Sequence, residues 1–163
     1  MSLKLHLALH VLSALLAGFI VWRVWKKPIA SFAAGILGGV LVDLDHFIDY
    51  FLTFGFHFNL AYFNRGDQFL KSDRLLILFH AWEYVIILIA VGLIIRNRLW
   101  KSFVLALALG LFFHLCLDVM IDHMPVKSYS IAYRLEHNFK IEPLIYPEHY
   151  AEHLKRRLEA GFN

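Results

Sequence analysis

The sequence predicts an all-α integral membrane protein, a bundle of about four transmembrane helices followed by a short interfacial C-terminal tail. Composition is the first reason, because 60% of the 163 residues are hydrophobic and the mean hydropathy is +0.59, whereas soluble domains are nearer half apolar. Arrangement is the second reason. The apolar residues form long continuous runs, and a run of about 18 or more is typical of a membrane-spanning helix.

Four such runs predict the four helices, at roughly residues 3–25, 29–54, 75–95 and 100–121. Each is long enough to cross a hydrocarbon core of about 30 Å, since an α-helix rises about 1.5 Å per residue. The first run ends in basic residues and no small-residue cleavage site follows it. We therefore interpret it as a retained helix and not as a signal peptide.

The composition changes after Pro125, which suggests where the membrane domain ends. We predict a four-helix transmembrane domain over residues 1–124, which carries the candidate site, and a C-terminal tail over residues 125–163. The tail is rich in charges and aromatic residues, and its last stretch, 147–161, has the pattern of a short amphipathic helix. We expect this tail to lie at the membrane interface or in solvent.

The distribution of basic residues predicts an orientation. The first and third connections between helices are short and basic, with Arg23, Lys26, Lys27, Arg96, Arg98 and Lys101. The positive-inside rule places these connections in the cytoplasm, and both termini and the longer second loop outside. The basic cluster at residues 155–157 favours the opposite orientation, so that alternative stays open. Because the net charge of +3 is small and the sequence has no basic stripe with interleaved aromatic residues, no nucleic acid partner is expected.

Ionisable residues inside apolar segments are costly and indicate a functional site. All four predicted helices carry them near one end: His6 and His10 on the first, Asp43, Asp45, His46 and Asp49 on the second, His80 and Glu83 on the third, and His114, Asp118, Asp122 and His123 on the fourth. Spacings of three or four residues put many of them on a shared helix face. In an antiparallel bundle these ends meet at one membrane face, which the predicted orientation makes the extracytoplasmic face.

Imidazole and carboxylate groups are natural ligands for zinc, and they also suit manganese and iron. Helix-borne pairs of this spacing build metal sites in helix bundles. We predict a site of one to three divalent ions, with zinc as the expected metal, whose ligands come from His6, Asp43, Asp45, His46, His80, Glu83, His114 and Asp118. Alternative ligands, or hydrogen-bond partners of the ligands, are His10, Asp49, Asp122 and His123. A plainer interpretation is that each of these side chains only hydrogen-bonds a neighbouring helix.

The segment Val42-Asp43-Leu44-Asp45-His46, with Gly35 before it, resembles the G…P-D-[IL]-D-H motif of the bacterial membrane-bound metal-dependent hydrolases. That family also has an early His, a third-helix His and a late H-x-x-x-D, which are matched in order by His6, His80, His114 and Asp118. The resemblance covers about residues 3–123 and implies a multi-pass metalloenzyme of the bacterial inner membrane. Val42 replaces the family's proline and Glu83 replaces a small hydroxyl residue, which suggests a separate subfamily with another substrate.

The pattern is also similar, more distantly, to zinc-dependent phospholipase C, through His114, Asp118 and His123. That similarity implies metal-assisted hydrolysis of a phosphoester in a lipid or lipid-linked substrate. A metal lowers the pKa of bound water toward about 7. Asp45 or Glu83 would be the catalytic carboxylate that takes the proton of that water. Arg65 in the second loop would contact the phosphate.

Two other functions fit the same residues. Histidines on several helices also suit a haem-binding membrane cytochrome, although the neighbouring carboxylates are not typical of a haem pocket. A non-catalytic metal-binding or transport protein is the other alternative, although the opposite ends of the helices are almost wholly apolar and offer no continuous ion path. The expected partners are the lipid bilayer and a lipid or lipid-linked substrate. The sequence does not indicate the oligomeric state.

Overall fold

The computed structural model describes residues 3–162, and the predicted all-α class is confirmed. Its α-helices are α1 (Leu3–Trp25), α2 (Pro28–Gly39), α3 (Asp45–Phe54), α4 (Leu60–Arg65), α5 (Asp67–Ser72), α6 (Trp82–Ile94), α7 (Arg98–Ile121), α8 (Ile131–Glu136) and α9 (Pro147–Glu159). Short 3-10 turns cover Leu41–Leu44, Val126–Tyr129 and Glu142–Leu144. Across residues 3–162 there is no β-strand, and one isolated antiparallel bridge joins Arg74 to Lys140.

The helices divide into two compact units. The first contains residues 3–42 and Phe79–His123, and therefore α1, α2, α6 and α7. The second contains Asp43–Leu78 and residues 124–162. The predicted boundary near residue 124 concerned location relative to a membrane and stays a prediction. In the structure, the long second loop lies in the same compact unit as the C-terminal tail.

Close helix contacts build the first unit. Helix α2 packs against α1 and α7, α1 also packs against α7, and α6 packs against α7. A Cβ atom on Gly35 would lie 2.6 Å from the Ala14 carbonyl oxygen, and one on Gly110 would lie 2.6 Å from the Gly35 carbonyl oxygen. Only glycine allows backbones to approach this closely, which is the packing expected of small residues in membrane helices. These contacts bring α1 and α7 together around α2.

The predicted second helix, 29–54, is not continuous. Helix α2 ends at Gly39, Val40 leaves the helical conformation with φ −135° and ψ −50°, and α3 starts only at Asp45. Gly38 and Gly39 explain the break, because glycine has a low helix propensity: its backbone loses more conformational entropy in a helix than that of other residues. The segment Val42–His46 therefore occupies the break and the first turn of α3, not the middle of a long helix.

The predicted third helix, 75–95, was too long. Helix α6 begins at Trp82, and residues 75–81 form an irregular segment. Two buried charged side chains of the second unit hold the start of that segment. Asp49 accepts hydrogen bonds from the amides of Leu76 and Ile77, at 3.2 and 2.9 Å. Arg134 Nη1 donates to the carbonyls of the same two residues, at 2.8 and 2.7 Å. The backbone groups of Leu76 and Ile77 bond to these side chains and not to other helical backbone groups. Helix α6 therefore begins only at Trp82.

Within residues 3–162, two helices are long and apolar enough to cross a membrane, Leu5–Trp25 and Arg98–Ile121. The count becomes three if the interrupted pair Pro28–Gly39 and Leu41–Phe54 forms one span. Helix α6 is apolar but has 13 residues, which gives a length of about 20 Å, less than the hydrocarbon core of about 30 Å.

The second unit has an aromatic core around Tyr50. This ring is fully buried and contacts Phe51, Phe54, Phe58 and Phe63. Its hydroxyl accepts a hydrogen bond from the Asn59 amide at 2.8 Å, and the Asn59 side chain caps the start of α4. The core therefore fixes the loop between α3 and α4.

Helix α9 is held to the second unit through polar side chains. His153 Nε2 lies 3.0 Å from Asp73 Oδ1, and Arg157 Nη1 lies 3.7 Å from Asp73 Oδ2. Asp73 is the C-cap residue of α5. His153 and Arg157 thus attach α9 to the second unit, whereas Leu154 and Leu158 are exposed.

Candidate metal centre

Three elements of the first unit bring histidine and aspartate side chains together. Helix α1 carries His6 and His10, and α7 carries His114 and Asp118; each pair is four residues apart and so lies on one helix face. His80 comes from the irregular segment directly before α6. The close packing of α1 against α7 makes these faces meet.

The Asp118 carboxylate lies at the centre of the cluster. Its Oδ1 is 3.2 Å from His10 Nε2. Its Oδ2 is 3.1 Å from His114 Nε2 and 3.6 Å from His80 Nε2. His6 Nε2 lies 2.9 Å from His10 Nε2, and the Nε2 atoms of His80 and His114 are 3.0 Å apart. One oxygen of Asp118 therefore faces each pair of histidines.

Two groups of three side chains result, and Asp118 belongs to both. The first is His6, His10 and Asp118, and the second is His80, His114 and Asp118; the ligand atoms within each group lie within 4.8 Å of one another. Tetrahedral ligands at about 2.05 Å from zinc would be about 3.3 Å apart. The five separations given above, from 2.9 to 3.6 Å, bracket that value, so these side chains could hold a metal ion.

The hydrogen bond of His114 supports this interpretation. His114 Nδ1 lies 3.1 Å from the Gly39 carbonyl oxygen, and because a carbonyl only accepts, Nδ1 carries the proton. In a neutral imidazole, Nε2 then presents a lone pair, and it faces the acceptor Asp118 Oδ2. Two acceptors at 3.1 Å repel each other unless a proton or a metal ion lies between them. Metal-bound histidines typically donate their other N–H to a carbonyl in this way.

The cluster is well shielded. His10 and His114 are fully buried, His80 and Asp118 are almost so, and His6 is half-buried. A buried carboxylate is unfavourable without a compensating charge. A divalent cation would supply that charge, and so would a protonated histidine.

The predicted ligands of the second helix belong to the second unit. Asp43 Oδ1 and His46 Nε2 are 3.7 Å apart and both side chains are half-buried. Asp45 is fully buried in the first turn of α3. Asp49 uses both carboxylate oxygens to bind backbone amides, as described above, which is a structural role. Metal binding by Asp43, Asp45 and His46 stays a prediction.

The remaining predicted residues lie at helix ends. Glu83 is half-buried in the first turn of α6, three residues after His80. Asp122 and His123 are exposed at the end of α7 and are not members of either group around Asp118. Arg65 belongs to the second unit and forms an ion pair with Asp67. Its hydrogen bonds to Asp67 raise the pKa of Arg65 above its usual value.

Three features of the structure were given too little weight in the predictions from sequence: two belong to the candidate metal centre, and the third is the buried Arg134 of the second unit. His10 was predicted only as an alternative ligand, although its spacing from His6 was the available signal. The Gly39 carbonyl is free to accept from His114 because α2 ends there, and the pair Gly38-Gly39 was the signal for that break. Arg134 was missed because a single arginine in a charged tail gives no indication that it is fully buried.

Comparison of the chain with protein-family models, with curated proteins and with solved structures finds no match.

Proposed function

We propose that this chain is a membrane-embedded metal-dependent hydrolase that acts on a lipid or lipid-linked phosphoester. The observation that carries the proposal is the buried Asp118 carboxylate, with one oxygen toward each of two histidine pairs. Such a carboxylate could serve as a ligand for both histidine pairs, and paired ions are common in enzymes that cleave phosphoesters. The sequence resemblance to membrane-bound metal-dependent hydrolases and to zinc-dependent phospholipase C agrees with this.

Exposed apolar side chains support a membrane location. Large apolar side chains project from α1, α6 and α7, such as Leu12 at 63%, Ile86 at 68% and Met120 at 70% exposure. Soluble proteins rarely expose such continuous apolar surface, whereas lipid chains solvate it well. We propose the bacterial inner membrane, with the metal centre toward the extracytoplasmic face, from the basic loops and the family resemblance.

The proposed chemistry assigns a task to each side chain. A bound divalent metal supplies a Lewis acid and an activated water near neutral pH. His6 and His10 would hold one metal ion, and His80 and His114 would hold the other. Asp118, which belongs to both groups, would balance part of their charge. The hydrogen bond from His114 to Gly39 fixes the orientation of that ring. Glu83, in the same unit, is the proposed acceptor of the proton of the water.

A haem protein is less compatible with this geometry. The ring centroids of His10 and His114 are 4.1 Å apart, and those of His80 and His114 are 4.9 Å apart. These imidazoles contact each other directly, whereas axial ligands of a haem face each other across the porphyrin. The shared carboxylate also favours a hard divalent cation.

Metal analysis of the detergent-purified protein by inductively coupled plasma mass spectrometry tests the proposal. We expect about two equivalents of zinc, manganese or iron in the wild type. Asp118→Asn should lose most of both ions, because Asp118 belongs to both groups. His6→Ala and His80→Ala should each lose about one ion, because each belongs to one group. Asp122→Asn and His149→Ala, at exposed positions, are the matched controls and should keep the full content.

Activity separates an enzyme from a metal-binding protein without catalysis. Purified protein in micelles with phosphatidic acid should release inorganic phosphate, and Asp118→Asn should abolish the release. Metal binding without hydrolysis of any phospholipid or lipid phosphate would favour the non-catalytic alternative. Wild-type protein that neither contains nor takes up metal would reject the metal centre and leave a network of ion pairs and hydrogen bonds.

A further inference from the structure

A cavity lies in the second unit. It has a volume of about 480 Å³, and its wall includes Tyr62 and Arg65 of α4, Phe54 of α3, Arg156 and Glu159 of α9, and Phe162. Small-molecule sites typically measure about 300–1,000 Å³. The cavity is therefore large enough for a polar head group with a few flanking atoms.

The wall of this cavity contains two positive and two negative side chains, of which one pair is engaged in an ion pair and the other is exposed. Arg65 and Asp67, both in the wall, bind each other: Arg65 Nη2 lies 2.5 Å from Asp67 Oδ2, and Arg65 Nε donates to both carboxylate oxygens. Arg156 and Glu159, one turn apart on α9, are both exposed. They present a positive and a negative group side by side.

Arg156 is oriented by the backbone of α4. Its Nη2 donates to the Arg65 carbonyl oxygen at 2.9 Å. A guanidinium group has five N–H donors in a planar fork, so several remain for another acceptor. Such a fork matches the two oxygens of a phosphate, which it binds with paired hydrogen bonds.

Aromatic rings form the apolar part of the wall. The Arg65 guanidinium lies over the Tyr62 ring, 5.2 Å from its centroid, and the Lys71 ammonium lies 4.6 Å from the Phe54 centroid. Both rings thus already hold cations, and such rings also attract ligand ammonium groups. With Phe162 they give the cavity an amphipathic lining.

We propose that this cavity binds the head group of a zwitterionic phospholipid with a primary ammonium group, of the phosphatidylethanolamine type. The phosphodiester lies against Arg156, and the ammonium group lies against Glu159 and the aromatic wall. The equal numbers of arginines and carboxylates, two of each, suit a ligand without net charge. The acyl chains exceed the cavity and stay in the bilayer. This inference rests on the proposed membrane location and not on the metal centre.

Calorimetric titration of the full-length protein in phospholipid-free detergent tests this. The probes are dihexanoylphosphatidylethanolamine, dihexanoylphosphatidylglycerol and inorganic phosphate. We expect the ethanolamine lipid to bind at least about tenfold more tightly than either other probe, because only it uses both charged groups. Arg156→Gln should weaken binding of both lipids about tenfold, and Glu159→Gln should weaken only the ethanolamine lipid.

Lys155→Gln and Glu152→Gln change exposed charges on α9 that are not part of the cavity wall, and should bind like the wild type. Asp118→Asn should also bind normally, which separates this proposal from that of the metal centre. Equal affinity for phosphatidylglycerol would overturn the zwitterionic ligand. Equal affinity for inorganic phosphate would reduce the site to a free-anion site, and unchanged binding in Arg156→Gln and Glu159→Gln would exclude the cavity.

Discussion

Asp118 and Arg134 are both buried charged residues, but their neighbours differ. Asp118 faces imidazole nitrogens, which are groups that bind protons and metals. Arg134 donates to the backbone carbonyls of Leu76 and Ile77, which are neither ionisable nor nucleophilic. The partners of a buried charge thus separate a candidate functional residue from a structural one.

Arg134→Met should destabilise the protein. The substitution leaves the Leu76 and Ile77 carbonyls without this donor, which costs about 3 kcal/mol of the free energy of unfolding. Chemical denaturation followed by circular dichroism in detergent measures the change. Arg74→Met, at an exposed arginine, should stay within about 0.5 kcal/mol of the wild type. If Arg134→Met were as stable as this control, the Leu76–Ile77 segment would not depend on Arg134.

At the scale of elements, helix ends determine the site. The end of α2 at Gly39 frees a carbonyl for His114, and the late start of α6 puts His80 on an irregular segment. Glycines set the distance between α2 and its neighbours, since the contacts at Gly35 and Gly110 leave no room for a side chain. The candidate metal centre consequently depends on backbone packing as much as on its histidine and aspartate side chains.

Gly110→Val should weaken both folding and metal binding. Its side chain would overlap the Gly35 carbonyl and push α7 from α2, which costs about 2 kcal/mol as overpacking. Thermal unfolding in detergent and metal analysis measure the two effects. Ala90→Val adds volume at an exposed position of α6 and should change neither. Normal metal content in Gly110→Val would mean that α7 can move without disturbing the ligands.

At the scale of the whole molecule, the chain combines apolar helices with two short basic connections. In the described part of the chain, two helices, or three with the interrupted pair, have the length and composition to cross a membrane. The positive-inside rule places these basic connections in the cytoplasm, and this proposed orientation can be tested directly. The single Cys116 makes thiol labelling practical.

In a Cys116→Ala background, a membrane-impermeant maleimide should label His149→Cys in intact cells. Lys27→Cys should react only after the membrane is permeabilised. Both positions are exposed, and the positive-inside rule places Lys27 in the cytoplasm. The background protein without cysteine is the control for unspecific labelling. The reverse pattern would put the tail in the cytoplasm, as the cluster at residues 155–157 favours.

Local patterns explain what the sequence predicted well. Long apolar runs require helices in lipid, because a helix satisfies its own backbone hydrogen bonds. The four-residue spacing of His6 with His10, and of His114 with Asp118, fixes shared faces on α1 and α7, because it matches the helical period. The all-α class could therefore be predicted from the sequence, and so could α1 and α7, two of the three elements that carry the cluster.

The tertiary structure decided which of these faces meet, and where the helices stop. His10 lies beside Asp118 because glycine contacts bring α1, α2 and α7 together, and no local pattern encodes a contact across more than one hundred residues. The segment before α6 is irregular because Asp49 and Arg134, distant in sequence, bind its backbone. Helical periodicity is a property of neighbouring residues, whereas a metal centre and a helix end depend on hydrogen bonds and packing between segments that only the folded chain brings together.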